Sequence, residues 1–296
     1  MPAHDTIFTR KFRVSEIPIR IIKDGCENSP NHIPELSVDL FFCDPPYFIS
    51  GGKGNSIINE ESGDRQDWDR QWKNKEEFYE WTERWMRLMF SQLKQAGSAY
   101  VCISWEHSGK FQEILERVGF KIQNRITWKR DKGRGSKSNW KNMHEDVWFV
   151  TKHTTEYTFN IDQVMVEKEV VAPYRDAEGN PKDWFVTEDG RKVRMTYPGN
   201  LWTEFTVPFW SMKEVRSYAK TKKTPENELP KHNTQKPKDL VKKCIKASSL
   251  EGELVVDYFF GSGTTAVASN ELNRRFIGFD ISDVCVKMAE KRLFTE

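Results

Sequence analysis

The strongest constraint on this fold is a short apolar run that ends in two prolines. Val38 to Phe42 is apolar apart from Asp39 and leads into Cys43-Asp44-Pro45-Pro46-Tyr47. Such a run predicts a buried strand of a parallel sheet. Proline lacks the N–H that a ladder needs and has a fixed φ, so the strand must stop there. Asp44, preceding a proline, is confined to extended backbone. Asp44 and Tyr47 are thereby expected at the carboxyl end of a strand, where open α/β sheets bind ligands. The Asp44 carboxylate and the Pro45 carbonyl offer two acceptors beside an aromatic face. That set suits a planar conjugated amine: each N–H finds one acceptor and the ring stacks on Tyr47. It also suits a plain strand-ending turn whose aspartate caps a neighbour.

The rest of the chain predicts strands at Ile17–Ile22, Ala99–Ser104, Lys121–Trp128, Val147–Thr151, Leu254–Tyr258 and Phe276–Phe279. Helices are expected over Lys75–Lys94, Lys110–Val118, Lys236–Ser249, Thr264 to about Leu272, and Asp283–Leu293. Phe78, Trp81, Trp85, Leu88 and Met89 form one apolar stripe of the first helix, which makes its tryptophans core residues. Trp128 reads as core too. Alternating strands and helices predict an α/β fold with a largely parallel sheet. Ser50–Asp69 holds four glycines and is mostly polar; it reads as a cover over the site or a surface loop. His153–Pro230 breaks the alternation and is expected to be an inserted recognition region outside the sheet. The organisation is then 1–152, an insert at 153–230, and 231–296.

Charge points to local patches. Lysine and arginine total 46 against 44 acids, a net charge of +2, so a polyanion must meet a patch and not the whole surface. Lys129, Arg130, Lys132, Arg134, Lys137 and Lys141 cluster around one acid, Asp131, with glycines between. A flexible basic loop at a strand end suits phosphate contact; a solvated charge run is the alternative. Met1–Arg10 has no apolar stretch of the signal-peptide kind, and no run approaches a membrane span. Five scattered cysteines without a CxxC pair suggest reduced thiols in a cytoplasm. The histidines show no HExxH or HxxxH spacing, so no metal site is expected.

A second motif follows Leu254–Tyr258. Phe259-Phe260-Gly261-Ser262-Gly263-Thr264-Thr265 joins a strand to a helix, and the next strand ends at Asp280. This is the order of a Rossmann-type βαβ unit. The glycines admit close backbone approach, and Asp280 is placed to accept from ribose hydroxyls. The spacing is neither a full dinucleotide fingerprint nor a P-loop. A nucleoside-containing cofactor fits it.

With both motifs in hand, the chain resembles the β class of S-adenosylmethionine-dependent DNA amino-methyltransferases. Asp257-Tyr258-Phe259-Phe260-Gly261-Ser262-Gly263-Thr264-Thr265 is similar to their cofactor loop, and Asp44-Pro45-Pro46-Tyr47 to their catalytic motif. His232-Asn233-Thr234-Gln235-Lys236-Pro237 resembles the segment before a cofactor-side helix. Catalytic motif, insert and cofactor loop stand in the β-class order. The likeness covers roughly 17–152 and 230–296. It implies a Rossmann-like class I methyltransferase fold with permuted motifs and an inserted target-recognition region. It also implies S-adenosylmethionine as cofactor, held by Asp24, Lys236, Pro237, Asp257, Phe259 to Thr265 and Asp280. The reaction implied is methyl transfer to the exocyclic N6 of a flipped adenine in double-stranded DNA, with cytosine N4 as the alternative. Family members with aspartate at the Asp44 position mostly modify adenine. A partner restriction endonuclease and a homodimer are compatible with the resemblance. Three departures stand out: Tyr258 replaces a proline, Asp280 a glutamate, and Asp24-Gly25-Cys26 a Gly-Asp-Cys. A non-catalytic DNA-binding protein and a protein-glutamine methyltransferase are the competing classes; the latter's turn reads Asn-Pro-Pro-Tyr.

Overall fold

A computed structural model describes residues 4–12, 15–48, 71–130, 137–171, 174–205 and 235–295. The expected cover at Ser50–Asp69, and Lys132 and Arg134 of the basic loop, lie outside the described residues. So do 172–173 and 206–230 of the insert, and His232, Asn233 and Thr234 of the segment before the cofactor-side helix.

Twelve strands are present in the described chain: β1 (His4–Phe12), β2 (Ser15–Lys23), β3 (Val38–Cys43), β4 (Leu93–Ser104), β5 (Lys121–Lys129), β6 (His144–Thr151), β7 (Val166–Glu169), β8 (Phe185–Val186), β9 (Lys192–Thr196), β10 (Leu201–Trp202), β11 (Leu254–Asp257) and β12 (Arg275–Phe279). Five α-helices accompany them: α1 (Lys75–Gln92), α2 (Ser108–Val118), α3 (Lys238–Ser248), α4 (Thr264–Glu271) and α5 (Asp283–Thr295). Nine strands form one sheet in the order β1-β2-β12-β11-β3-β4-β6-β5-β10. From β2 to β4 every neighbour is parallel. The expected α/β sheet is therefore present, with its parallel part at the centre.

β3 is buried along its whole length because helices cover both faces. Phe41 and Cys43 join Phe78, Trp85, Met89, Phe111 and Ile114 of α1 and α2 on one side. Leu40 and Phe42 join Leu240, Ile245, Ala266 and Ala289 of α3, α4 and α5 on the other. Alternate side chains of one strand thus feed two cores. Asp39, the one acid in the run, is 7% exposed. It takes Lys94 Nζ at 2.6 Å and the Leu254 N–H at 2.9 Å, so the buried charge is compensated.

Four expectations need correction. The helix expected to reach Lys94 ends at Gln92, and Leu93 already begins β4 with φ −69° and ψ 133°. α3 begins at Lys238, with Pro237 as its cap and not inside its first turn. β6 is antiparallel to both β4 and β5. β5 and β6 thus form an antiparallel arm of the sheet. The insert is not wholly outside the sheet: Leu201–Trp202 pairs in parallel with Thr127 and Trp128. Without it, β5 would be an edge with unpaired backbone groups. The middle of the insert forms a separate sheet, β7-β9-β8. No described helix is long and apolar enough to cross a membrane.

Candidate active site

Three neighbouring parallel strands end in acids. In sheet order they are β12 with Asp280, β11 with Asp257 and β3 with Asp44. This cluster is the consequence of parallel strand packing: carboxyl ends come together on one edge. Burial lifts the Asp257 carboxyl to about 7, and the charges of Asp44 and Asp280 push it the same way. The three acids therefore form one electrostatic unit.

The turn after β3 carries its catalytic candidates in a constrained backbone. Phe48, directly after Tyr47, has φ +50°, a left-handed conformation that a bulky side chain rarely adopts. Its ring is buried and stacks on Phe78 at 5.6 Å, which holds that conformation in place. Asp44 Oδ1 accepts from Lys236 Nζ at 2.6 Å and from the Tyr47 hydroxyl at 2.8 Å. Oδ2 takes no hydrogen bond among the described residues, and neither does the Pro45 carbonyl. Among the described residues the two acceptors expected for an amine are thus both unengaged, while Oδ1 is clamped. Burial pushes the Tyr47 phenol up, so it remains a neutral donor.

Lys236 was expected at the cofactor; the structure places its ammonium at Asp44. It is 6% exposed, lies 3.4 Å from Glu145 Oε2 and stands 5.1 Å over the Tyr47 ring. Arg130, expected at phosphate, pairs with Glu145 Oε1 and lies 4.9 Å over the Trp128 ring. Glu145 escaped the sequence reading altogether. It is the second residue of β6, beside Trp128 of β5, and joins Lys236, Arg130 and Tyr47 Oη, the last at 3.2 Å. Trp128 is buried, as expected.

The glycine loop is fixed by side chains on every side. Gly261 and Gly263 have φ +52° and +81°. A Cβ at Gly263 would meet Ala289 Cβ at 2.6 Å, so α4 and α5 can only meet here over a glycine. Asp280 Oδ2 accepts from the Gly261 N–H at 3.0 Å, and Oδ1 from the Ser282 N–H at 2.9 Å. Burial raises its carboxyl as well. Asp257 accepts from the Phe259 N–H at 2.9 Å and the Thr265 hydroxyl at 2.6 Å. Phe260 is buried and donates its N–H to the Phe279 carbonyl, tying the loop to β12. Phe259 packs on Trp81 and Trp85. Arg292 of α5, also missed by the sequence reading, is fully buried. Its Nη1 donates to the Ser262 carbonyl at 2.9 Å, with the Ser262 and Thr264 hydroxyls at 3.2 and 3.1 Å. Tyr258, in place of the usual proline, is buried with its hydroxyl bonded to Gln92 and Ser29. Asp24 sits at the end of β2 and turns back on its own loop, accepting from the Gly25 N–H and Asn28 Nδ2, both at 2.8 Å.

Of the remaining basic residues, Lys129, Lys137 and Lys141 are exposed. All five cysteines are free and buried. Burial pushes the Cys43 thiol, beside Asp44, well up, so it is no nucleophile.

A Rossmann-like sheet with an acceptor turn against a glycine loop defines a group-transfer enzyme that works on an amine. The chain belongs to the N6/N4 DNA methylase family, whose model matches residues 38–291. It is 33% identical over 264 residues to the DNA adenine methyltransferase YhdJ of Escherichia coli, covering 88% of this chain and 78% of that protein. It is 33% identical over 261 residues to the type II methyltransferase M2.DpnII of Streptococcus pneumoniae, covering 88% and 84%. Its fold matches the PvuII cytosine-N4-specific DNA methyltransferase with a TM-score of 0.60 at 17% identity, covering 92% and 85%.

Proposed function

We propose that the chain methylates the exocyclic N6 of adenine in DNA, with Asp44, Pro45 and Tyr47 as the groups that meet the amine. The observation that carries this reading is the open acceptor pair, Asp44 Oδ2 and Pro45 O, one strand away from Asp257 and the glycine loop. S-adenosylmethionine is the methyl donor. The site suits it: the buried Asp257 and the half-buried Asp280 border the loop and favour a ligand with net positive charge and ribose hydroxyls. When bound, it supplies a methyl group on a sulfonium.

Adenine's exocyclic nitrogen is a poor nucleophile because its lone pair is delocalised into the ring. Asp44 Oδ2 and Pro45 O accept its two N–H bonds and favour a pyramidal nitrogen. That sharpens the lone pair and holds the growing positive charge next to a carboxylate. Lys236 and Tyr47 keep Asp44 Oδ1 fixed, so Oδ2 needs no reorientation. After transfer the nitrogen carries one proton too many, and Asp44 Oδ2 is the acceptor nearest to it. The base must leave the duplex to reach this turn. The exposed lysines 129, 137 and 141 are the phosphate contacts of this reading.

Mass spectrometry of nucleosides from enzyme-treated DNA tests the reading. N6-methyladenine is expected, and its loss in Asp44→Ala with cofactor affinity kept within roughly threefold. N4-methylcytosine alone would overturn the choice of base; turnover by the variant would overturn the role of Asp44.

A further inference from the structure

Trp140 stands apart from the other tryptophans. It is 94% exposed; among the other described tryptophans Trp105 comes next at 44%, Trp81 is half-buried, and Trp72, Trp85, Trp128, Trp148, Trp184 and Trp202 are all 7% exposed or less. An indole left in water makes no contribution to a core. Its neighbours are not those of a folding accident either: Lys137 and Lys141 flank it and are exposed themselves. This stretch is the arm between β5 and β6, closed by the Lys129–His144 rung and by the Arg130 N–H on the Met143 carbonyl at 2.7 Å. The next rung inward is Trp128–Glu145, a wall of the amine site. Trp140 is five residues from Glu145, so their Cα atoms lie within about 18 Å of one another. A planar aromatic group flanked by cations therefore stands on the arm whose first inward rung walls the amine site.

We infer that Trp140 is the side chain that enters the duplex where the target base has left it. This inference rests on the reading of the site as one that takes an extruded base. Extrusion leaves a gap between two base pairs and removes their stacking with the missing base. An indole has a base-like flat face and fills that gap without reading sequence. Proteins that open base steps do so with apolar wedges, and the wedge is effective when adjacent cations hold the backbone. Lys137 and Lys141 are placed for the phosphates on either side. Trp140 acts on the position of the base and does not touch the reacting nitrogen. It is a positioning residue, and its effect should depend on how much the base resists leaving.

Two measurements test this. First, the emission of wild type minus that of Trp140→Phe isolates this indole; titration with duplex DNA should quench it and shift it to the blue. Second, methyl transfer is compared on two duplexes carrying the methylated sequence, one fully paired and one with an abasic site opposite the target. Trp140→Ala should lower kcat/KM roughly 10- to 100-fold on the paired duplex, the value of one lost stack. On the abasic duplex, where extrusion is easy, the variant should come within about threefold of wild type. Trp140→Phe should retain most activity on both. Equal deficits on the two duplexes, or an unquenched indole on DNA that the enzyme methylates, would overturn the role of Trp140. Quenching without any methylation by wild type would instead overturn the methyltransferase reading and leave the DNA contact standing.

Discussion

Asp257→Asn should make the stability of this protein less sensitive to pH. Asp257 is 2% exposed, and burial lifts its carboxyl from 3.8 to about 7, against the opposing bonds from Thr265 and the Phe259 N–H. Between those two values the folded state keeps a proton that the unfolded chain has lost. Its contribution to stability is thus fully present below pH 3.8 and disappears as the pH rises through about 7. Linkage gives a loss of about 2.6 kcal/mol between pH 5 and pH 8, and about 4 kcal/mol over the whole window. Asparagine does not titrate, so its own packing and hydrogen bonds shift the baseline but not the slope. Urea unfolding at fixed ionic strength, followed by tryptophan emission, should show variant and wild type diverging by that amount in favour of the variant as the pH rises. In melting experiments the gap should widen by roughly 5 °C, taking about 2 °C per kcal/mol for a long chain. Parallel curves would mean that Asp257 ionises like an exposed carboxyl. The same titration bears on the cofactor: a ligand of net positive charge should bind wild type more tightly as the pH passes 7, with a smaller gain in the variant.

Other residues give separate tests. Lys236→Met releases Asp44 Oδ1 and should lower kcat roughly 10- to 100-fold, the value of one charge-assisted hydrogen bond, with cofactor affinity nearly unchanged; a selective loss of cofactor affinity would return Lys236 to the cofactor site. Arg292→Met removes the shared donor of the Ser262 carbonyl and the two hydroxyls. It should weaken cofactor binding about tenfold by calorimetry, and unchanged affinity would show the loop to be self-supporting. Gly263→Ala combines a left-handed penalty of about 1–2 kcal/mol with a clash against Ala289. It should lower both Tm and cofactor affinity, and a wild-type Tm would refute the close approach.

The acceptor turn and the glycine loop were legible because their chemistry is local: a strand, its stop and the acid after it lie within ten residues. The partners of that chemistry were not. Lys236 reaches Asp44 across 192 residues and Glu145 meets Tyr47 across 98, and no periodicity marks such a meeting. Arg292 left a trace that was readable in principle. Cys285, Met288, Ala289 and Arg292 fall at i, i+3, i+4 and i+7, which puts the arginine on the buried stripe of α5. The resemblance conveys that the Lys236 segment lies near the cofactor loop but not that the side chain meets Asp44. The antiparallel pairing of β6 with β4 and β5 was not legible, because strand direction depends on long-range pairing and not on the local pattern.

The way the insert leaves and rejoins the sheet sets the terms for exchanging it. Before β7, Asn160 is bound to the carbonyls of Lys246, Ala247 and Ser249, so this stretch belongs to the methyltransferase core. After β9, Leu201–Trp202 closes the sheet, and Asn200 bonds the Arg125 carbonyl at 2.9 Å. Between them the small sheet, 166–196, has no share in the nine strands. A graft that swapped all of 153–230 would therefore strip the last strand from the sheet and leave β5 open to pair with another molecule. Joints placed near 165 and 197 would keep the core closed. New recognition surfaces could then be carried by this enzyme as replaceable parts, with the edge strand retained as part of the chassis.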